Sequence, residues 1–202
     1  MALDTVNQLV SLGDAKEFLK ITAASEDAVI TSMVNRASHW ANSYTQRLLL
    51  SRENTDYYDG DGTGVLTLNQ YPVTALSNLY DDPLRVFGAG TAISVSDDVV
   101  LEGAYGIIRL WNNTQAFLKG ILNVKVVYTA GYALASVPEP IKEAVLLYIA
   151  HSYRRGHIDQ RFGVVSETIG DRTTSYSSDD IPQKAKTLLN PFRSERVYVG
   201  AI

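Results

Sequence analysis

The run Asp59-Gly60-Asp61-Gly62-Thr63-Gly64 is the stretch of this chain that comes nearest to chemistry. Aspartates alternating with glycines can wrap calcium in oxygen ligands, and the tyrosines around them (Tyr57, Tyr58, Tyr71, Tyr80, Tyr105, Tyr128) can stack sugars. One reading is therefore a calcium-assisted carbohydrate-binding module. The spacing argues against an EF-hand, because the twelfth position from Asp59 is Gln70, where a bidentate glutamate belongs. The flanks are also β-rich, so a turn in which Asp and Gly supply left-handed backbone explains the run with fewer demands.

The remaining reactive groups are scattered. His151 and His157 do not form a HExxH pair, and His39 falls inside an amphipathic helix as a half-buried structural residue. Arg154-Arg155-Gly156 reads as a helix end, with cations at the negative pole and glycine as the stop. The pairs Asp81-Asp82, Asp97-Asp98 and Asp179-Asp180 sit in turns, where solvation is their expected role. There is no G-x-S-x-G elbow, no P-loop and no cysteine, so thiolate metal sites, cysteine nucleophiles and disulfides are excluded. No catalytic residue, metal or cofactor is expected, and the chain does not read as an enzyme.

The elements that carry these groups change character along the chain. Ser11 and Asp14 form a capping box for a short helix with Leu12, Ala15, Phe18 and Leu19 on one face, ending near Ile21. Ser25 opens a longer helix in which Ile30, Met33, Val34, Ala37, Trp40, Ala41 and Tyr44 recur at three- and four-residue spacing. After Arg52 the period becomes two. Tyr57-Tyr58 and Val65–Leu68 around the glycine-rich turn predict a hairpin. Leu76–Tyr80, Val99–Leu101, Ile107–Leu110 and Ile121–Thr129 complete an antiparallel set, with turns and weak strands over 83–98. A helix from Pro140 to about Arg155 turns Ile141, Ala144, Val145, Tyr148 and Ile149 inward. Residues 156–180 are polar and show no sustained period. A last short helix (Ala185, Leu188, Leu189) starts at Ile181-Pro182 and stops at Pro191.

A chain that is 46% apolar and 20% charged can build a core, which excludes a disordered protein. No signal peptide is expected at the N-terminus, and no apolar run has the roughly 18 residues of a membrane span, so a soluble protein is expected. The net charge of −4 hides an asymmetry. Between Glu53 and Glu102 nine acids (Glu53, Asp56, Asp59, Asp61, Asp81, Asp82, Asp97, Asp98, Glu102) face one base, Arg85, leaving that segment at −8 and the remainder at +4. Such a surface does not grip phosphates.

Taken together, LVSLGDAKEFLKI, DAVITSMVNRASHWANSYTQR, YYDGDGTGVLTLNQYPVTALSNLYDD, VVYTAGYALASVPEPIKEAVLLYIAHSYRR and IPQKAKTLLNPFR resemble, in that order, the head–tail connector (adaptor) family of long-tailed phages and prophages. The resemblance implies an α+β fold: a small bundle of about four helices with an antiparallel β domain inserted between the second and third main helices. The expected boundaries are 1–52 plus 133–202 for the helical connector domain and 53–132 for the insert. It implies a structural virion protein of the neck, forming a dodecameric homo-oligomeric ring beneath the portal protein and meeting the stopper or tail-completion protein. DNA passes through without specific binding, and no membrane is involved. Family members reach the portal through a C-terminal segment; the matching residues here are Leu188, Leu189, Phe192, Arg193, Arg196, Val197 and Tyr198. In the polar segment, Phe162, Val164, Val165 and Ile169 would form a self-association arm, meeting helical residues near Arg36 or Arg47 of the next copy.

Overall fold

The structure, a computed structural model, describes residues 2–112, 114, 116–158, 166–169, 172–175 and 181–194, with backbone alone at 157, 158, 166–169 and 172–175. In chain order the elements are α1 (Leu12–Leu19), α2 (Asp27–Thr45), β1 (Arg52–Gly60), β2 (Val65–Thr67), β3 (Val73–Asp81), β4 (Ala92–Ile93), β5 (Val99–Glu102), β6 (Ile107–Leu110), β7 (Gly120–Ala130), α3 (Glu139–Tyr153), β8 (Ser166–Ile169), β9 (Arg172–Ser175) and α4 (Gln183–Leu189). The class is α+β, with the main strands between the second and third helices. Among the described residues no helix is long and apolar enough to cross a membrane. Residues Met1–Leu49 and Leu134–Glu195 make one compact unit, and Leu50–Ala133 lies in a second.

In the helical unit a side-chain cap fixes the start of α1. Ser11 Oγ accepts the Asp14 N–H (3.0 Å) while the Asp14 carboxylate accepts the Ser11 N–H (3.1 Å), so the capping box forms. The second helix opens later than Ser25 suggests. Ala24–Glu26 form a 3-10 turn, and Lys16 from α1 reaches Asp27 in the first turn of α2 at 2.6 Å. Left-handed residues, Lys20 and Gln46, close α1 and α2. Helix α3 packs against α1, α2 and α4. Its Ile141, Ala144, Val145 and Ile149 are buried with Ile30, Val34, Ala37 and Ala41 of α2 and with Ala185 and Leu189 of α4. Polar side chains tie the connecting backbone to this core: Ser38 Oγ accepts the Leu9 N–H (3.1 Å) and Asn42 Oδ1 the Leu49 N–H (3.1 Å).

In the β unit, a four-stranded antiparallel sheet ordered β1-β7-β3-β4 and a three-stranded sheet ordered β2-β6-β5 share one core. Leu66, Ile108 and Leu110 point inward from the second sheet, and Val73, Leu79, Val124, Val126 and Tyr128 from the first. The expected hairpin between Tyr57-Tyr58 and Val65–Leu68 does not form. Strand β1 pairs with β7 (Tyr57↔Lys125) and β2 with β6 (Leu66↔Ile108). Gly60 marks the crossing. It lies so close to residue 118 that a Cβ there would stand 1.8 Å from the Leu118 carbonyl oxygen, and its N–H is taken by Asn123 Oδ1 at 2.8 Å. The glycine-rich run is thus a passage from one sheet to the other.

The polar segment after α3 is more regular than its sequence suggests. A single π turn (Arg154–Ile158) follows α3, and β8 and β9 pair as an antiparallel ribbon with Ser166↔Ser175 and Ile169↔Arg172 in register. β-branched Thr168, Ile169, Thr173 and Thr174 supply the strand preference.

Candidate functional site

Three places gather the groups that sequence reading singled out. The first is the exit of the chain from α4. Tyr44 donates to Asn190 Oδ1 (2.7 Å), Arg47 Nη1 donates to the Phe192 carbonyl (3.0 Å), the Ser194 N–H donates to the Thr45 carbonyl (2.8 Å), and the Arg193 guanidinium lies 5.2 Å from the centre of the Tyr44 ring. Residues 190–194 are therefore fastened to the C-terminal end of α2. Among the expected portal-facing residues, Leu189 is fully buried and serves the core, Leu188 and Phe192 are half-buried, and Arg193 is exposed. Arg196, Val197 and Tyr198 lie outside the described residues, as do Phe162, Val164 and Val165; Ile169 ends β8. Arg47 is buried and engaged in this anchor, so it forms no outward patch, whereas Arg36 is exposed.

The second is a cleft of about 480 Å³ lined by Ala2, Asp4, Asn35, Arg36, His39 and Tyr148. His39 is exposed here rather than half-buried: its Nε2 meets Asp4 Oδ2 at 2.9 Å, which fastens the N-terminal segment across α2. The Asp4 N–H also donates to Asn35 Oδ1 at 2.9 Å. Hydrogen bonds from the Asn7 side chain first, then from the Val6 N–H and His39, hold the Asp4 carboxyl below the usual carboxylate range.

The third is the acidic β unit, where the carboxylates are wired into the backbone. Asp61 Oδ1 accepts both the N–H (2.8 Å) and the hydroxyl (2.7 Å) of Thr63, and Asp59 Oδ1 accepts the Leu122 N–H (2.7 Å). These are turn contacts, and among the described residues no group of three or more His, Cys, Asp or Glu is gathered to hold a metal ion. Asp81 and Asp82 do more than solvate a turn. Asp81 accepts the Leu118 N–H (2.6 Å) and Asn123 Nδ2 (2.9 Å), while Asp82 accepts the N–H groups of Leu84 (2.9 Å), Val86 (2.9 Å) and Phe87 (2.7 Å). The Asp56 carboxylate takes the hydroxyls of Tyr128 (2.6 Å) and Tyr58 (3.0 Å) together with Asn69 Nδ2 (3.3 Å). Those hydroxyls in turn accept the N–H groups of Gln70 (3.2 Å) and Asn69 (2.9 Å). The tyrosines thus divide into an inner pair holding a loop and an outer set. Sequence reading missed the loop after Asp82, which lifts Leu84 and Val86 into solvent; the signal was an apolar pair astride the segment's lone base.

Among the described residues these groups gather no metal-ligand set, and their carboxylates fasten turns and loops. No curated protein sequence matches the chain at a significant level. Among solved structures, the fold is similar to a chain from the neck of an empty gene transfer agent (GTA) particle computed with C6 symmetry. That likeness has a TM-score of 0.65 at 19% identity and covers 99% of this chain and 97% of that one. A chain from the neck of a native GTA particle computed with C12 symmetry is similar at a TM-score of 0.62 and 18% identity, over 99% and 96% of the two chains. The model of the head completion protein family matches residues 8–195, which takes in the helical body, the β insert and the tail anchor alike, and the chain belongs to that family.

Proposed function

We propose that copies of this chain assemble as a ring, dodecameric in the particle, beneath the portal protein at the DNA-exit vertex, and present a surface there to the stopper or tail-completion protein. Membership of the head completion protein family carries a structural head–tail connector role, and the family is not one of enzymes. The observation that carries the ring is the end-to-end likeness in fold to a chain of a particle neck, with 99% of this chain covered. Neck structures computed with C6 and C12 symmetry support a copy number that divides by six.

The portal contact is assigned to the C-terminal segment: Leu188, Phe192 and Arg193 at the anchored end, then Arg196, Val197 and Tyr198. A partner-binding tail gains affinity when its root is held in place, because less chain must be ordered on binding. The fastening of 190–194 to α2 supplies such a root. Phe162, Val164, Val165 and Ile169 are assigned to contact between copies, with β8 and β9 as the stem of that arm. The acidic insert is assigned a place near passing DNA, where like charge keeps the duplex from sticking.

Light scattering over a concentration series, with electron micrographs of the heaviest fraction, tests the ring. Closed rings of about a dozen copies support it. Truncation after Ser194 tests the tail: rings should persist while co-purification with the portal is lost. A truncated chain that still holds the portal would place that contact elsewhere.

A further inference from the structure

The loop after β3 is built as a rigid apolar knob. The buried Asp82 carboxylate accepts three backbone N–H groups from Leu84, Val86 and Phe87, and its carbonyl accepts the Arg85 N–H at 2.9 Å. Arg85 and Phe87 sit in the left-handed region (φ 58° and 55°), a conformation that non-glycine residues keep only where their surroundings impose it. Phe87 anchors the loop on the outer face of the four-stranded sheet. Its ring is 5.5 Å from that of Tyr57 and 6.4 Å from that of Tyr80, with the Lys125 ammonium 5.6 Å from its centre. What this scaffold holds out is Leu84, 83% exposed, and Val86, 77% exposed, on either side of exposed Arg85. Exposed aliphatics on a loop held this firmly are shaped to fill a partner's surface.

The other outer face of the β unit is unusually apolar for a sheet facing water. Val65, Arg109 and Val100 form one cross-strand row over β2, β6 and β5, and Trp111 follows on the same side; Val65, Val100 and Trp111 are all exposed. The Arg109 guanidinium is taken by Glu102. Exposed Asp97 is tied to the residue after Trp111 through its carbonyl, which accepts Asn112 Nδ2 at 3.4 Å, while its carboxylate accepts the Ser94 hydroxyl at 2.6 Å. Because the inward side chains of both sheets share one core, the knob and this face lie on opposite sides of the β unit. A head-to-tail contact between identical copies needs two different, complementary patches so disposed. The charges fit as well. In a segment carrying nine acids, the lone base stands at the knob, and the receiving face offers an acid.

We propose that the Leu84-Arg85-Val86 knob of one copy seats on the Val65–Val100–Trp111 face of a second copy, with Arg85 set against Asp97. This deepens the ring reading above and rests on it. The chain has no cysteine, which allows a clean test. Leu84→Cys and Val100→Cys variants are mixed and treated with a short bis-maleimide. Light scattering and micrographs of the same sample score association independently of the cross-link. Covalent dimers are expected from the mixture and not from either variant alone, and a ladder is expected from the double variant. Self-dimers from one single variant indicate a symmetric contact and overturn the proposal. Rings without a cross-link overturn it too while leaving the ring reading intact. A monomer at every concentration overturns it as a contact formed by the chain alone, and moves ring assembly onto the portal. In a second arm, Arg85→Asp should weaken association about tenfold or more, and Asp97→Arg in the same chain should restore it. Failure of that rescue, with both variants folded by circular dichroism, removes the charge pairing from the proposal.

Discussion

At the scale of single residues, the β unit is held by carboxylates that bind backbone and phenols. Burial first, and then the neighbouring Asp56, push the Tyr128 hydroxyl well above the ordinary phenol value; burial, Tyr128 and Asp56 do the same to Tyr58. A raised folded-state pKa contributes stability that is complete below the unfolded value, near 10, and is lost as pH rises through the folded value. Urea midpoints should therefore fall steeply above about pH 10. Tyr128→Phe should lower stability by about 1–3 kcal/mol at neutral pH and flatten that alkaline loss. Asp82 has the opposite sign. Bonds from the backbone N–H of Phe87 first, then those of Leu84, Val86 and Arg85, hold its carboxyl below the usual range. Its contribution is present above the unfolded value, near 4, and is lost as pH falls through the folded one. Asp82→Asn should loosen the knob, seen as cleavage by trypsin after Arg85 that is several-fold faster at neutral pH while the rate at other sites is unchanged.

At the scale of elements, the way into and out of the insert depends on one glycine. Gly131 follows β7 with φ +111°, and a Cβ there would come within 2.7 Å of the Leu50 carbonyl carbon, where Leu50 forms a parallel bridge with Tyr132. Gly131→Ala adds backbone strain to a clash with main chain that has no side chain to move aside. It should cost about 2 kcal/mol or more, read as a lowered thermal midpoint, where an alanine at open Gly88 should cost little. The amphipathic helices were readable because each stripe recurs every three or four residues: Ile30, Val34, Ala37 and Ala41 are buried as their spacing requires. Phe18 shows the limit of that rule, since it shares the apolar face of α1 and stays exposed. Spacing defines a face, but a neighbouring element decides whether that face is covered.

At the scale of the whole molecule, the distribution of charge bears on the proposed passage of DNA. The −8 of residues 53–102 and the overall −4 predict that the purified protein, in whatever assembly it forms, retains no duplex DNA at about 0.15 M salt in a filter-binding or gel-shift assay. Reversing exposed acids of the insert (Glu53→Lys with Asp59→Lys) should create retention that fades as salt rises. Retention by the unaltered protein would contradict the proposed passive passage.

Local chemistry in the amino-acid sequence determined the helices and the capping box of the first, most strands of the insert, the lack of thiol chemistry, and the order of segments that resembles head–tail connectors. These depend on neighbours within a few residues, which sequence displays directly. Tertiary structure decided which strands pair, that Leu189 and Arg47 face inward, that the Ser/Thr-rich segment contains a ribbon, and that Asp82 braces an apolar knob. An alternating strand declares which side is apolar and leaves its partner open. Strand β1 finds β7 across the length of the insert, and not the nearby β2, because pairing and burial are settled by the shared core of two sheets.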